Sequence, residues 1–233
     1  MTQAVEVLAD AGATVLELGV PFSDPLADGP TIQLSSQRAL ESGVSLDGIF
    51  KRLEQDPKLR RMPIVLMSYA NPIVTYGIER FCARARDAQV AGALISDLPP
   101  EELPELWTAT KQSGLESVVL VAPTTRESRV PILARAADGY VYCVTRTGVT
   151  GKGGAFAANL AEQVRAVRAN TSAPVVAGFG VRTPEDAARL GSEFDGVIVG
   201  ARIIEIVGSS DPAAMLELER FARGVVQVLS NVS

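Results

Sequence analysis

Short apolar runs rich in valine, isoleucine and leucine alternate along the chain with longer amphipathic stretches. The apolar runs cover residues 14–19, 63–69, 92–97, 117–123, 139–145, 174–180 and 196–201. Each run is too short for a helix, and its nearly continuous apolar character predicts a strand buried on both faces of a sheet. Helical periodicity is clearest over residues 45–56, 77–88, 100–114, 129–137, 160–170 and 183–191.

Two predicted helices begin with recognisable capping residues. Thr183 is followed by a proline and two acids, which places a capping hydroxyl, a first-turn proline and negative charge at one N-terminus. An aspartate–proline pair predicts the same kind of start for a last helix over residues 211–230.

The alternation of strands and helices predicts a parallel sheet. The first strand is followed by GVPFSDPLADGP and not by the glycine-rich turn of a doubly wound dinucleotide-binding sheet, so a barrel is favoured over that alternative. A lone helix followed by seven βα units predicts a (β/α)8 TIM barrel that lacks its first strand, with residues 1–233 forming a single domain. A misassigned start codon, a fragment and a natural truncation would each produce such a chain.

Composition and charge exclude several classes of function. The 233 residues include 22 Lys and Arg against 27 Asp and Glu, and the net charge of −5 offers no basic field for nucleic acid. No apolar run approaches the roughly 18 residues of a membrane helix. The first ten residues lack the pattern of a signal peptide, so a cytoplasmic protein is expected. The chain has no histidine and only two distant cysteines, Cys82 and Cys143, so no metal site is predicted and both thiols are expected to be buried.

The first strand carries a carboxyl group on the face that a barrel turns inward. Side chains alternate along a strand, so Val15, Glu17 and Gly19 share one face, while Leu16 and Leu18 share the other. Burial with no Lys or Arg nearby in sequence raises the pKa of a carboxyl group. Glu17 is therefore a candidate general acid/base, with a structural salt bridge as the alternative.

Two loops are candidates for functional roles. The loop at residues 20–31 contains three prolines and the acids Asp24 and Asp28. A stiff loop of this length over the mouth of a barrel is more often functional than a plain turn, although solvated turn acids are the alternative. The loop at residues 146–158 contains four glycines and is a candidate lid, with a merely flexible connection as the alternative.

Glycines that follow the last two strands predict a phosphate site. Gly178 and Gly180 precede the helix capped by Thr183, and Gly200 closes the next strand. Loops at these positions of a barrel often bind phosphate, because glycine lets backbone N–H groups approach the anion and a helix N-terminus favours it. Glycines that merely allow tight turns are the alternative.

Seven segments together resemble the tryptophan synthase alpha chain family. They are LELGVPFSDPLADGPTIQ (16–33), YANPI (69–73), SDLPPEE (96–102), APTT (122–125), YCVTRTGVTG (142–151), GFGV (178–181) and GVIVGA (196–201). They follow the family's order and spacing over essentially the whole chain, and the first is the most specific. The family is a (β/α)8 barrel lyase that cleaves indole-3-glycerol phosphate to indole and glyceraldehyde 3-phosphate.

The resemblance implies roles for individual residues. Glu17 would be the general acid/base, and Asp28 would accept a hydrogen bond from the indole N–H. Tyr142 and Phe179 would line the indole pocket, and Thr150 would orient Asp28. The implied phosphate-binding positions are Gly151, Gly180, Gly200 and Ala201. Many members have serine at the last of these, so the missing hydroxyl is expected to weaken phosphate binding by about 1 kcal/mol.

The resemblance also implies a partner, the pyridoxal-phosphate-dependent beta chain, which receives the indole in an alpha2–beta2 tetramer. Pro21, Asp24 and Asn71 match positions that face the beta chain. No cofactor or metal is expected on this chain, since the reaction needs only proton transfer. One alternative, motivated by the absent strand, is a non-catalytic subunit that docks on and activates the beta chain. Another, an isomerase-type barrel for phosphorylated sugars, leaves residues 16–33 unexplained.

Overall fold

The computed structural model describes residues 1–145, 160–178 and 180–231. The strands are Leu16–Gly19 (β1), Ile64–Ser68 (β2), Gly92–Ile95 (β3), Glu116–Val121 (β4), Tyr140–Val144 (β5), Val175–Gly178 (β6) and Gly196–Val197 (β7). The α-helices are Thr2–Asp10 (α1), Pro30–Glu41 (α2), Leu46–Gln55 (α3), Ala70–Tyr76 (α4), Ile78–Asp87 (α5), Pro104–Gln112 (α6), Val130–Ala136 (α7), Leu160–Arg168 (α8), Pro184–Gly191 (α9), Ala201–Val207 (α10) and Ala214–Ser230 (α11). All seven predicted strands are present in the predicted order.

The sheet is parallel throughout and curls like the wall of a barrel. Its strands pair in chain order from β1 to β7. Neighbouring strands of a sheet lie about 4.8 Å apart, so β1 and β5 would be separated by about 19 Å in a flat sheet. Instead, the Tyr140 hydroxyl on β5 donates a hydrogen bond of 2.5 Å to Glu17 Oε1 on β1. This contact across the sheet confirms the predicted fold class, a TIM-type barrel wall of seven strands.

The curled sheet separates an inner apolar cluster from a larger outer core. The buried members of the inner cluster are Val65, Leu94, Val118 and Tyr142. Leu16 and Leu18 pack against the outer core, between the sheet and the helices. The alternation along β1 therefore turns Glu17 toward the inner cluster, as the sequence predicts.

Helices pack across the junction between the two ends of the sheet, β1 and β7. In the described part of the chain β1 pairs with β2 and β7 with β6, and no strand pairing joins β1 to β7. Across this junction α1 packs against α11, and α2 packs against α10. No helix within the described ranges is long and apolar enough to cross a lipid bilayer.

Some predicted boundaries were wrong. The last helix begins at Ala214 and not at Asp211, because the Asp211 carboxylate accepts a hydrogen bond of 2.8 Å from the Ala213 N–H and forms a turn instead. The predicted strand at 196–201 is shorter, since α10 begins at Ala201. The capping prediction at Thr183 was right, and its hydroxyl and the Asp186 carboxylate form a complete capping box.

Candidate active site

Glu17 is a partly buried carboxyl group on the inner face of β1. Its hydrogen-bond partner is the Tyr140 hydroxyl, at 2.5 Å. Burial raises the pKa of Glu17 to about 7, and the hydrogen bond from Tyr140 partly offsets this effect. A carboxyl group with this pKa exchanges a proton near neutral pH, which is the property required of a general acid/base. Among the described residues, the partner of Glu17 is a hydroxyl and not the basic side chain of a structural salt bridge.

Asp28 lies in the loop between β1 and α2 and is only 5% exposed. The Tyr69 hydroxyl donates a hydrogen bond of 3.0 Å to Asp28 Oδ2, and the same hydroxyl accepts one of 3.0 Å from the Ala27 N–H. Burial raises the pKa of Asp28, and the hydrogen bond from Tyr69 opposes that shift. Asp28 is therefore an oriented carboxyl group and not a solvated turn acid.

Tyr142 belongs to the inner cluster and lies near both carboxyl groups. It is 8% exposed, and burial raises its pKa, with further contributions from the charges of Glu17 and Asp28. A Cβ atom at Gly178 would lie 2.1 Å from the Tyr142 ring. Only glycine therefore leaves room for this ring between β5 and β6. The site brings together Tyr142 and both candidate carboxyl groups.

The glycine turns after the last two strands are neighbours, because β6 and β7 pair in parallel. Gly180 has φ of +92°, a left-handed conformation that favours glycine. Gly200 is the N-cap of α10, and a side chain there would meet no atom within 4 Å. Ala201 is the first residue of that helix. The Gly200 turn thus presents open backbone at a helix start, an arrangement that suits an anion.

Comparison with known proteins decides the family. The family model described as "Tryptophan synthase alpha chain" matches residues 1–230. The chain belongs to this family. A tryptophan synthase alpha chain of Geobacter sulfurreducens is 46% identical over 202 residues, which are 87% of this chain and 76% of that protein. One from Azoarcus sp. is 43% identical over 230 residues, covering 98% and 85% of the two chains.

Solved structures of the tryptophan synthase alpha family share the fold. The alpha subunit from Legionella pneumophila has a TM-score of 0.85 at 33% identity, over 99% of this chain and 87% of that one. A tryptophan synthase structure from Mycobacterium tuberculosis has a TM-score of 0.87 at 30% identity, over 98% and 86% of the two chains.

Three predicted substrate-binding residues, Thr150, Gly151 and Phe179, lie outside the described residues, as does the predicted lid at 146–158. Of the residues predicted to face a partner, Pro21 and Asp24 lie in the β1–α2 loop and Asn71 lies in α4. Asp24 and Asn71 are exposed and Pro21 is partly exposed. Asn71 lines a cleft of about 380 Å³ together with Phe22, which stacks at 5.2 Å from the Tyr69 ring. This outer surface is therefore connected to Asp28 through Tyr69.

Sequence reasoning assigned no role to Tyr69 or Tyr140, the two hydroxyl partners of the carboxyl groups. A signal existed for Tyr140, because alternation puts it on the same inner face as Tyr142. No such signal existed for Tyr69, which directly follows β2 and reaches Asp28 across 41 positions of sequence. Within the three described ranges, no group of Cys, Asp and Glu side chains is arranged to hold a metal ion.

Proposed function

We propose that this chain cleaves indole-3-glycerol phosphate to indole and glyceraldehyde 3-phosphate, the reaction of the tryptophan synthase alpha family, at a site built around Glu17 and Asp28. The observation that carries the proposal is the pair of carboxyl groups, each held by a tyrosine hydroxyl and both close to Tyr142. Because both groups are present and oriented, no observation favours a non-catalytic subunit.

The reaction is a retro-aldol cleavage that moves two protons. Glu17 starts protonated and donates its proton to the indole carbon that carries the glycerol side chain. The resulting carboxylate then takes the proton of the adjacent side-chain hydroxyl as the carbon–carbon bond breaks, and the bonding electrons return to the ring. Glu17 ends protonated, so its pKa of about 7 lets one group act as acid and then as base.

Asp28 stabilises the charge that develops on the ring nitrogen. As a carboxylate it accepts a hydrogen bond from the indole N–H, and the Tyr69 hydroxyl favours the ionised form by donating to Oδ2. The two carboxyl groups therefore divide the work according to their surroundings. Tyr142 and Phe179 line the indole pocket, and Thr150 orients Asp28.

The phosphate group binds at the glycine turns. Backbone N–H groups of Gly180 and Gly200 approach its oxygens, and the start of α10 favours its charge. Gly151 and Ala201 complete the phosphate site, with Ala201 contributing only its backbone.

The partner is the tryptophan synthase beta chain in an alpha2–beta2 tetramer in the cytoplasm, and pyridoxal phosphate is needed only there. Pro21, Asp24 and Asn71 contact that chain, and the indole passes to it. Two observations support this assignment: Asp24 and Asn71 are exposed, and the Phe22 ring lies beside Tyr69, which binds Asp28.

The test is release of glyceraldehyde 3-phosphate from indole-3-glycerol phosphate, by this chain alone and with a matching beta chain. Glu17→Gln should lower kcat by at least about 10³-fold, within the range for loss of a general acid/base. The matched control is Glu116→Gln, an exposed glutamate at the first position of β4, which should keep full activity. Substantial cleavage by the Glu17 variant, or stimulation of the beta chain with no cleavage by the wild type, would overturn the proposal.

A further inference from the structure

The junction between the two ends of the sheet carries a cluster of polar side chains centred on Glu205. Both guanidinium nitrogens Nη1 and Nη2 of Arg182 bind its carboxylate, at 3.1 and 2.7 Å. The Thr31 hydroxyl donates to Glu205 Oε1 at 3.4 Å, from the other side of the junction. Arg202 adds a weaker contact of 3.7 Å and also pairs with Glu217 of α11 at 2.5 Å. Glu205 therefore connects three segments that are distant in sequence.

Each of those segments carries a part of the proposed site. Thr31 lies in the first turn of α2, three positions after Asp28. Arg182 lies two positions after Gly180, and its N–H also donates to the Asp186 carboxylate that caps α9. Glu205 itself is on α10, four positions after Ala201. The cluster thus bridges the segment that holds a catalytic carboxyl group and the two turns that would hold phosphate.

The contacts of Glu205 link two parts of the site that no described strand pairing links. Elsewhere in the described structure, hydrogen-bonded pairing fixes each strand against its neighbour, but no pairing joins β1 to β7. The Arg182–Glu205 contact is bidentate, which fixes orientation as well as distance. The Arg182 side chain is 39% exposed and that of Glu205 is 30% exposed, so the pair adds little to global stability. We therefore expect the pair to affect the relative position of the segments that it connects.

We propose that Glu205 is a positioning residue that sets the distance between the phosphate end and the carboxylate end of the substrate site. The inference rests on the proposed function in taking a substrate that spans both ends. The Arg182 and Thr31 contacts stabilise the Glu205 carboxylate and lower its pKa, so the cluster stays charged near neutral pH. A misplacement of about 1 Å in such a site can cost on the order of 10²-fold in rate.

The experiment compares ligands that occupy one end of the site with a ligand that occupies both. Inorganic phosphate probes the phosphate end, and indole probes the carboxylate end. Indole joined to a phosphate by a saturated three-carbon chain spans both ends and cannot be cleaved. In Glu205→Gln we expect the Kd of the spanning ligand, measured by calorimetry, to rise about tenfold, while the Kd values of phosphate and indole change less than twofold. Thr31→Val should have a similar effect, and the double variant should add little to either.

A matched control is Glu219→Gln, which breaks an exposed ion pair with Arg223 within α11 and should leave all three Kd values unchanged. A folding defect lowers the active fraction without changing any Kd, so such a result for Glu205→Gln would overturn the proposal. A parallel rise in the Kd of inorganic phosphate would also overturn it, by showing a local effect on the phosphate turns. The proposal would also be overturned if the wild-type chain bound the spanning ligand no more tightly than it binds inorganic phosphate or indole. If the wild type binds the spanning ligand tightly but cleaves no substrate, the proposed function fails while this proposal stands.

Discussion

Replacing Glu17 with glutamine should remove catalysis and at the same time stabilise the protein at alkaline pH. Folding raises the pKa of Glu17 from its ordinary 4.5 to about 7. The folded chain therefore holds a proton between these pH values that the unfolded chain releases, and the stabilisation from this proton is lost as the pH rises through 7. The pKa difference corresponds to about 3 kcal/mol.

Glutamine is uncharged at every pH and can still accept the hydrogen bond from Tyr140. We therefore expect Glu17→Gln to match the wild type in free energy of unfolding below pH 4.5. Above pH 7 it should exceed the wild type by up to about 3 kcal/mol. Other titrating groups cancel in this difference, because both chains contain them.

The assay is urea unfolding of both chains at pH 4.5, 7 and 8.5. Glu219→Gln serves as the control for loss of an exposed ion pair and should stay within about 0.5 kcal/mol of the wild type throughout. A stability difference between Glu17→Gln and the wild type that does not change with pH would refute the reasoning, as would a variant that is less stable at pH 8.5.

Two further substitutions test the contacts around the carboxyl groups. Tyr140→Phe removes the hydrogen bond that lowers the pKa of Glu17, so the pH profile of kcat/KM should shift to higher pH, and an unchanged profile would show that the contact is not made. Gly178→Ala places a Cβ atom 2.1 Å from the Tyr142 ring and should destabilise the chain by about 1–3 kcal/mol in urea unfolding. Gly114→Ala is strained in φ but has open space, and it should not affect the KM of the substrate.

The strands and the position of Glu17 could be predicted because both depend on local pattern. Strands buried on both faces leave continuous apolar runs, and alternation along β1 determines which side chains face inward. Helix α2 is absent from the predicted helices for a different reason. α2 contains no buried residue, so its sequence has no apolar stripe to reveal it. The start of the last helix was misplaced because Asp211 caps a turn through the same kind of hydrogen bond that begins a helix.

The partners of the site residues could not be predicted, since they depend on distances through space. Tyr140 and Glu17 are 123 positions apart, and Thr31 and Glu205 are 174 positions apart. No periodicity in the sequence relates such residues, and the curling of the sheet brings them together.

The roles proposed for the two carboxyl groups follow from their different places in the same barrel wall. Glu17 lies on a strand, where the apolar inner cluster surrounds it and its partner is one hydroxyl from the opposite wall. Asp28 lies on a loop, and its partner Tyr69 is itself held by the backbone of that loop through Ala27. The group proposed to transfer protons is thus held by the sheet, with a pKa that burial raises to about 7. The group proposed to face the ring nitrogen is held by its loop, and Thr31, three positions further along that segment, contacts Glu205.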